Sequence, residues 1–261
     1  MSQSSKRSVL VTGCSQGSAG NALALQFAAE GFRVFATARS LKTLSNLAEA
    51  GIEILTLDVT QPESIAAVKS QIASRTGGSL HILFNNAGAS SVPSGHEPTI
   101  INVASVLARL PSPFTSAYNA TKAAVAAYSD TLRLEVRPLG IRVVTLYMGE
   151  VSTSLMTTDN INFGPESIYR DAEAAVKQRT VTHLEKTMPP KQFSREVVCE
   201  IVNGKRSFLW KGSNAFTVWL LNAVGPRTVF DSTMVKVARL DNKQTKASVF
   251  KQGQTAAGKM A

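Results

Sequence analysis

The stretch Val9-Leu10-Val11-Thr12-Gly13-Cys14-Ser15-Gln16-Gly17-Ser18-Ala19-Gly20 decides how this chain folds. Val9 to Val11 reads as a short apolar strand. The glycine-rich run after it reads as a tight turn, and Ala22, Leu23, Ala24, Leu25 and Phe27 then open a helical pattern. Strand, glycine turn and helix, in that order, form the context in which a parallel α/β sheet holds a dinucleotide. Gly13, Gly17 and Gly20 allow positive φ angles and let the backbone, with Ser15 in the same turn, come close to a pyrophosphate. The helix N-terminus adds unpaired N–H groups and the positive end of a dipole.

The pattern continues outward from this unit. A second strand, Val34 to Thr37, ends in Ala38-Arg39-Ser40. An acidic residue at this point would bond the ribose hydroxyl of NAD, whereas an arginine accommodates the 2′-phosphate of NADP(H), so Arg39 points to the phosphorylated cofactor. A third strand, Ile52 to Leu57, delivers Asp58-Val59. Asp58 either meets the adenine or caps the helix that follows Thr60-Gln61-Pro62-Glu63. A fourth strand, Leu80 to Phe84, runs into Asn85-Asn86-Ala87-Gly88. Strands alternating with helical patterns fit an α/β chain.

Further on, Tyr118 and Lys122 stand four residues apart, and Ser105 lies thirteen residues before the tyrosine. On a helix, positions i and i+4 share a face. An ammonium beside the phenol favours phenolate, drawing a pKa of about 10 toward working pH. Such a phenol gives a proton to a carbonyl oxygen or takes one from an alcohol. Ser105, at the end of an apolar strand from Thr99, is placed to hydrogen-bond the same oxygen. Taken alone, the pair equally fits a surface tyrosine beside a solvated lysine.

These motifs together resemble the short-chain dehydrogenase/reductase family: Thr-Gly-x3-Gly-x2-Gly at 12–20, Asn-Asn-Ala-Gly at 85–88, Ser105, and Tyr118-x3-Lys122. The resemblance implies a single doubly wound α/β domain on a parallel sheet, a Rossmann fold of strand order 3-2-1-4-5-6-7. It implies Tyr118 as acid/base, Lys122 as the residue that holds the nicotinamide ribose and tunes the tyrosine, and Ser105 as the residue that orients the substrate carbonyl. Asn86, Ala87 and Gly88 would lie along the cofactor, and Val151 and Thr153 would reach the nicotinamide amide or the phosphates. Thr-Gly-Cys-Ser, Phe35 to Arg39 and the segment 209–215 are also similar to fungal 1-acyldihydroxyacetone-phosphate reductase-like members. That likeness implies NADPH-dependent reduction of a ketone on a lipid-like substrate, at the cytoplasmic side of an endoplasmic reticulum membrane or a lipid droplet. A steroid or polyketide alcohol is the alternative substrate within the family.

Three departures stand out. Ser18 replaces a glycine and is expected to crowd the phosphate loop. Met148 replaces a proline and loosens a turn. Between Gly88 and Thr99 lie only ten residues, among them Pro93, Gly95 and Pro98. That stretch is too short and too broken for the crossover helix that belongs here. The family's catalytic asparagine on that helix has no counterpart in this chain. The loss is expected to bare apolar surface on the flanking strands and on the flank of the Tyr118 helix, and to disfavour a homo-oligomer by removing part of the dimer face. The contrasting reading is a remnant that binds nucleotide without turnover.

With 261 residues, 44% of them hydrophobic, the chain has material for one core. The expected domain covers residues 1–241, with a substrate lid at about 153–195 and an apolar segment at about 213–231. Two cysteines do not make a disulfide framework and suit a reducing compartment. Three scattered histidines show no metal spacing. The first seven residues do not read as a signal peptide, and no apolar run reaches the roughly 18 residues of a spanning helix. The run 215–224 either packs on the sheet or lies in a membrane interface with Trp219 as anchor. The net charge is +10, and the tail, which reads as disordered from about 242, contributes Lys236, Arg239, Lys243, Lys246, Lys251 and Lys259 against one acid, Asp241. It suits an anionic lipid surface, and nothing beside it marks nucleic-acid binding.

Overall fold

The computed structural model describes residues 6–86, 98–153, 161–184 and 187–258. Seven strands form one sheet: β1 (Ser8–Val11), β2 (Arg33–Ala38), β3 (Glu53–Thr56), β4 (Ile82–Asn85), β5 (Thr99–Ser105), β6 (Arg142–Met148) and β7 (Phe208–Lys211). Their order is β3-β2-β1-β4-β5-β6-β7 and every pairing is parallel. This is the order the motifs imply. The register runs from Val9 opposite Val34 on one side and Ile82 on the other, through Ile82 opposite Thr99 and Thr99 opposite Arg142.

Parallel strands are covered on both faces, so they read as unbroken apolar runs rather than as alternation. On one face, α1 (Ala19–Ala29) and α6 (Pro190–Asn203) bring Leu23, Phe27, Phe193 and Val197 against Val9, Val11, Phe84, Ile101 and Leu146. On the other, α3 (Pro62–Thr76) sets Val68 and Ile72 over Leu10, Phe35 and Leu83. The short α2 (Ser45–Glu49) follows β2, and α4 (Ser116–Glu135) packs Leu132 on Ile100 and Ala126 on Ala104 and Tyr147.

The stretch predicted to lack a crossover helix, with Ala87 and Gly88 at its start, falls at 87–97, outside the described residues. Its expected consequence is corrected at the strands, because every residue of β4 and β5 is buried. The seam between the areas covered by α3 and α4 is polar. Asn85 Nδ2 donates to Asn102 Oδ1 at 2.9 Å, and Asn102 Nδ2 donates to Ser129 Oγ of α4 at 3.0 Å. A sheet that shows paired amides at this place, rather than leucines, has less apolar surface to lose with a helix. The bare surface lies on α4, the Tyr118 helix, as expected: only Ala126, Ser129 and Leu132 are buried there.

The remaining helices are α5 (Glu173–Leu184), α7 (Ala215–Val224), α8 (Asp231–Val237) and α9 (Lys243–Gly258). The last occupies the tail that reads as disordered. It is helical, and Ser248 Oγ donates to the Asp171 carboxylate just before α5. Local composition did not reveal that tertiary anchor.

Candidate active site

The phosphate loop is fixed by its own side chains. Gly13 and Gly17 take φ values of 70° and 78°, which glycine adopts without strain. Ser18 does not crowd the turn. It is the N-cap of α1, accepting from Asn21 N at 3.1 Å and donating to Gly13 O at 3.2 Å. Asn86 Nδ2 donates to the same Gly13 carbonyl at 3.0 Å. Gln16 N donates to Thr43 O at 2.9 Å. The buried Asn21 donates to Cys14 O at 3.0 Å and exchanges amide bonds with Asn46 at 3.1 and 3.0 Å. Sequence reasoning missed Asn21 and Asn46. The available signal was an asparagine three residues after a helix-capping serine, in an otherwise apolar turn.

Cys14 is buried in this loop, and burial pushes its thiol up to about 12. A neutral thiol is a poor nucleophile. A thiol-titrating disulfide reagent at neutral pH is therefore expected to find one fast thiol in the native protein, the exposed Cys199, and two after denaturation. Two fast thiols would contradict the burial. Unfolding frees Cys14 to ionise near its ordinary value while the native thiol stays protonated. Its contribution to stability is thus full below about pH 9 and is lost as pH rises toward about 12.

The strands' carboxyl ends open onto a cleft of about 930 Å³. Gly13, Ser15 and Asn86 line it at the phosphate loop, and Arg39, Asp58 and Val59 line it beside β2 and β3. Ser105, Tyr118 and Lys122 line it beside β5, with Val151 and Thr153 after β6. Gly17 and Gly20 shape the loop from behind the lining. Asp58 does not cap α3, whose N-cap is Gln61 with no side-chain cap bond. It faces the cleft, and its Oδ1 accepts from Thr60 N at 2.9 Å and Thr60 Oγ1 at 2.7 Å, closing the turn before α3. Those bonds, helped by the nearby Arg39 charge, hold its carboxyl below the usual aspartate range.

A nicotinamide dinucleotide fits this site. A Cβ on Gly20 would stand 2.4 Å from Gly13 O, so the helix start and the loop approach more closely than any larger residue permits. That close turn, a helix N-terminus behind it and Arg39 at the far end form a cradle for phosphates.

At the other end, Ser105 closes β5, Tyr118 lies in the first turn of α4, and Lys122 follows one turn later. Ser105 Oγ accepts from Leu107 N at 3.2 Å and donates to Met148 O at 3.4 Å. Burial raises the Tyr118 pKa, opposed by its hydrogen bond with Ser105. The residue is 42% exposed and lines the cleft. The expected depression by Lys122 is corrected here. Lys122 Nζ donates to Val103 O at 2.9 Å and stands 5.8 Å from the centre of the Tyr118 ring. The ammonium thus faces the ring and a backbone carbonyl, and burial lowers its own pKa. At neutral pH Tyr118 is a protonated acid. Leu107, Leu110, Ser112 and Thr115, from the loop before α4, also line the cleft, with Glu150 and Thr180. Nothing in their spacing marked them.

The model of a family described as short chain dehydrogenase matches residues 7–98 and 92–162. A short-chain dehydrogenase/reductase of Pestalotiopsis microspora is 37% identical, over 94% of this chain and 99% of that protein. An NADPH-dependent 1-acyldihydroxyacetone phosphate reductase of Schizosaccharomyces pombe is 41% identical, over 57% of this chain and 61% of that protein. The crystal structure of a short-chain dehydrogenase from Streptomyces avermitilis superposes with a TM-score of 0.66 at 26% identity, covering 91% of this chain and 99% of that one. The two matched pieces meet at 92–98, where the crossover is short. The alignment to the Pestalotiopsis protein runs over 272 positions but takes in only 94% of these 261 residues, so about 27 of its positions face no residue here.

Proposed function

This chain belongs to the short-chain dehydrogenase family, and on that premise we propose that it is an NADPH-dependent reductase of a ketone on a lipid-like molecule, such as 1-acyldihydroxyacetone phosphate. The observation that carries the reading is the convergence of Ser105, Tyr118 and Lys122 on the cleft that the phosphate loop also lines. Arg39 supports the phosphorylated cofactor. Val106, Leu107, Leu110 and Met148 give the substrate end an apolar wall suited to an acyl chain.

A reduced nicotinamide dinucleotide, held by the Gly13–Gly20 turn and Arg39, would supply a hydride for the carbonyl carbon. Ser105 Oγ holds the carbonyl oxygen by a hydrogen bond. Tyr118 passes its proton to that oxygen as negative charge develops there, and the product is an alcohol. The Lys122 ammonium faces the Tyr118 ring rather than its oxygen, and solvent returns the proton to the phenolate. Val103 O holds that ammonium in place, with no asparagine side chain required for its orientation.

The test is NADPH oxidation by the purified chain with an acyldihydroxyacetone phosphate, a steroid ketone and a polyketide ketone. Turnover of the first in preference to the others supports the reading. A melting temperature raised by NADPH, with turnover of none, would instead establish a nucleotide-binding remnant. Arg39→Ala is expected to weaken NADPH binding by about tenfold to a hundredfold, the worth of a charge-assisted bond, and to leave NADH binding unchanged. Calorimetric titration with both cofactors measures this, and an equal loss for both would remove Arg39 from phosphate recognition.

A further inference from the structure

Helix α7, with sequence Ala-Phe-Thr-Val-Trp-Leu-Leu-Asn-Ala-Val, presents apolar residues on two sides. Ala215 and Val218 are buried, and Leu221 packs with them, against Val106, Trp210 and Phe230. The other stripe follows the spacing i, i+3, i+4, i+8. Its members Phe216, Trp219, Leu220 and Val224 are 66%, 43%, 40% and 75% exposed. The Phe216 and Trp219 rings lie 5.5 Å apart, so the stripe is continuous at its start. One side of the helix therefore packs on the fold, and the other is left bare. A helix that is apolar all round belongs in a core or against lipid, and a bare aromatic stripe marks an interaction surface.

The surrounding charge selects the partner. Arg227, Lys236, Arg239, Lys243, Lys246 and Lys251 follow α7 and are exposed, against the two acids Asp231 and Asp241. None of the six is paired with a carboxylate among the described residues. Phe230 and Met234, at the start of α8, share one packing cluster with Val218 of α7. Arg227 lies in the link between α7 and α8, and Lys236 lies on α8. Unpaired cations beside an aromatic and aliphatic stripe complement an anionic bilayer surface, where Trp settles at the headgroup level. At ten residues, α7 is about 15 Å long and lies along such a surface rather than crossing it.

We propose that the outward stripe of α7, with its flanking cations, docks this protein on an anionic lipid membrane. Val106 follows Ser105 directly and packs in the α7 cluster, so a membrane held there adjoins the substrate end of the cleft. The proposal does not depend on which ketone is reduced, or on whether any is.

The test is sedimentation of the full chain with vesicles of phosphatidylcholine, with and without phosphatidylserine, beside a Phe216→Ser/Trp219→Ser double variant. The wild type is expected to pellet with the serine-containing vesicles, to be released by salt, and to show a blue shift of tryptophan emission. The double variant should bind roughly tenfold or more weakly, since interfacial affinity follows inserted apolar area. Its melting temperature and its shift with NADPH should be unchanged, because both side chains are exposed. Three results would overturn the proposal. Wild type could stay in the supernatant, the double variant could pellet equally, or size exclusion could show a wild-type dimer that the double variant dissociates, making the stripe a contact between copies.

Discussion

Tyr118→Phe is expected to abolish ketone reduction while leaving the fold and NADPH binding intact. The substitution removes one oxygen and keeps the ring that Lys122 Nζ faces at 5.8 Å. Ser105 loses its bond to the phenol but keeps Leu107 N and Met148 O, so no buried hydroxyl is left unpaired. What disappears is the proton donor. General acid catalysis by a positioned side chain contributes about 10²–10⁴-fold, so turnover should drop by at least that range. The pH dependence gives a second check. A reducing enzyme needs the phenol protonated, and burial raises the Tyr118 pKa above the ordinary phenol value near 10 in the free protein. The rate limb that reports loss of this proton should therefore lie above about pH 10, not near neutrality. Steady-state rates with NADPH, paired with calorimetric binding, separate the two effects. Turnover surviving in the variant would remove Tyr118 from the chemistry.

The direction of that pKa shows where sequence reading stops. The i, i+4 spacing correctly put Tyr118 and Lys122 on one face of α4. It could not say whether the ammonium would meet the phenol oxygen or the ring, because that depends on Val103 O, which β5 brings in from outside the helix. The short apolar runs placed the strands, while their order came from the family resemblance carried by the glycine turn, Asn-Asn-Ala-Gly and Tyr118-x3-Lys122. Gly13, Arg39 and Asn86 were legible because they end strands at the edge where ligands bind. The α9 helix was not, since its link to Asp171 joins residues 77 positions apart. The burial of β4 and β5 was also missed. Counting the residues of a lost helix presumes an apolar sheet beneath it, whereas Asn85, Asn102 and Ser129 satisfy one another along that seam.

Gly20→Ala is expected to lose NADPH binding, and it runs against helix propensity. Gly20 is the second residue of α1, and alanine there would ordinarily favour the helix by up to about 1 kcal/mol. The site reverses the sign. The added Cβ would lie 2.4 Å from Gly13 O and 2.8 Å from Asn86 Nδ2. Neither neighbour can yield independently, because Asn86 Nδ2 and Ser18 Oγ both donate to that carbonyl. Relief requires the phosphate loop to move away from α1, which opens the turn that shapes the cradle. Overpacking of this kind costs about 1–3 kcal/mol, and for a chain of this size each kcal/mol lowers the melting temperature by about 2–4 °C. The apo variant should therefore melt a few degrees early, and its melting temperature should no longer rise with NADPH. The second observation is the discriminating one, since a fault confined to packing would lower the melting temperature and leave the NADPH response in place. An early melt with a full NADPH response would mean that the loop tolerates displacement and that the phosphates are held elsewhere.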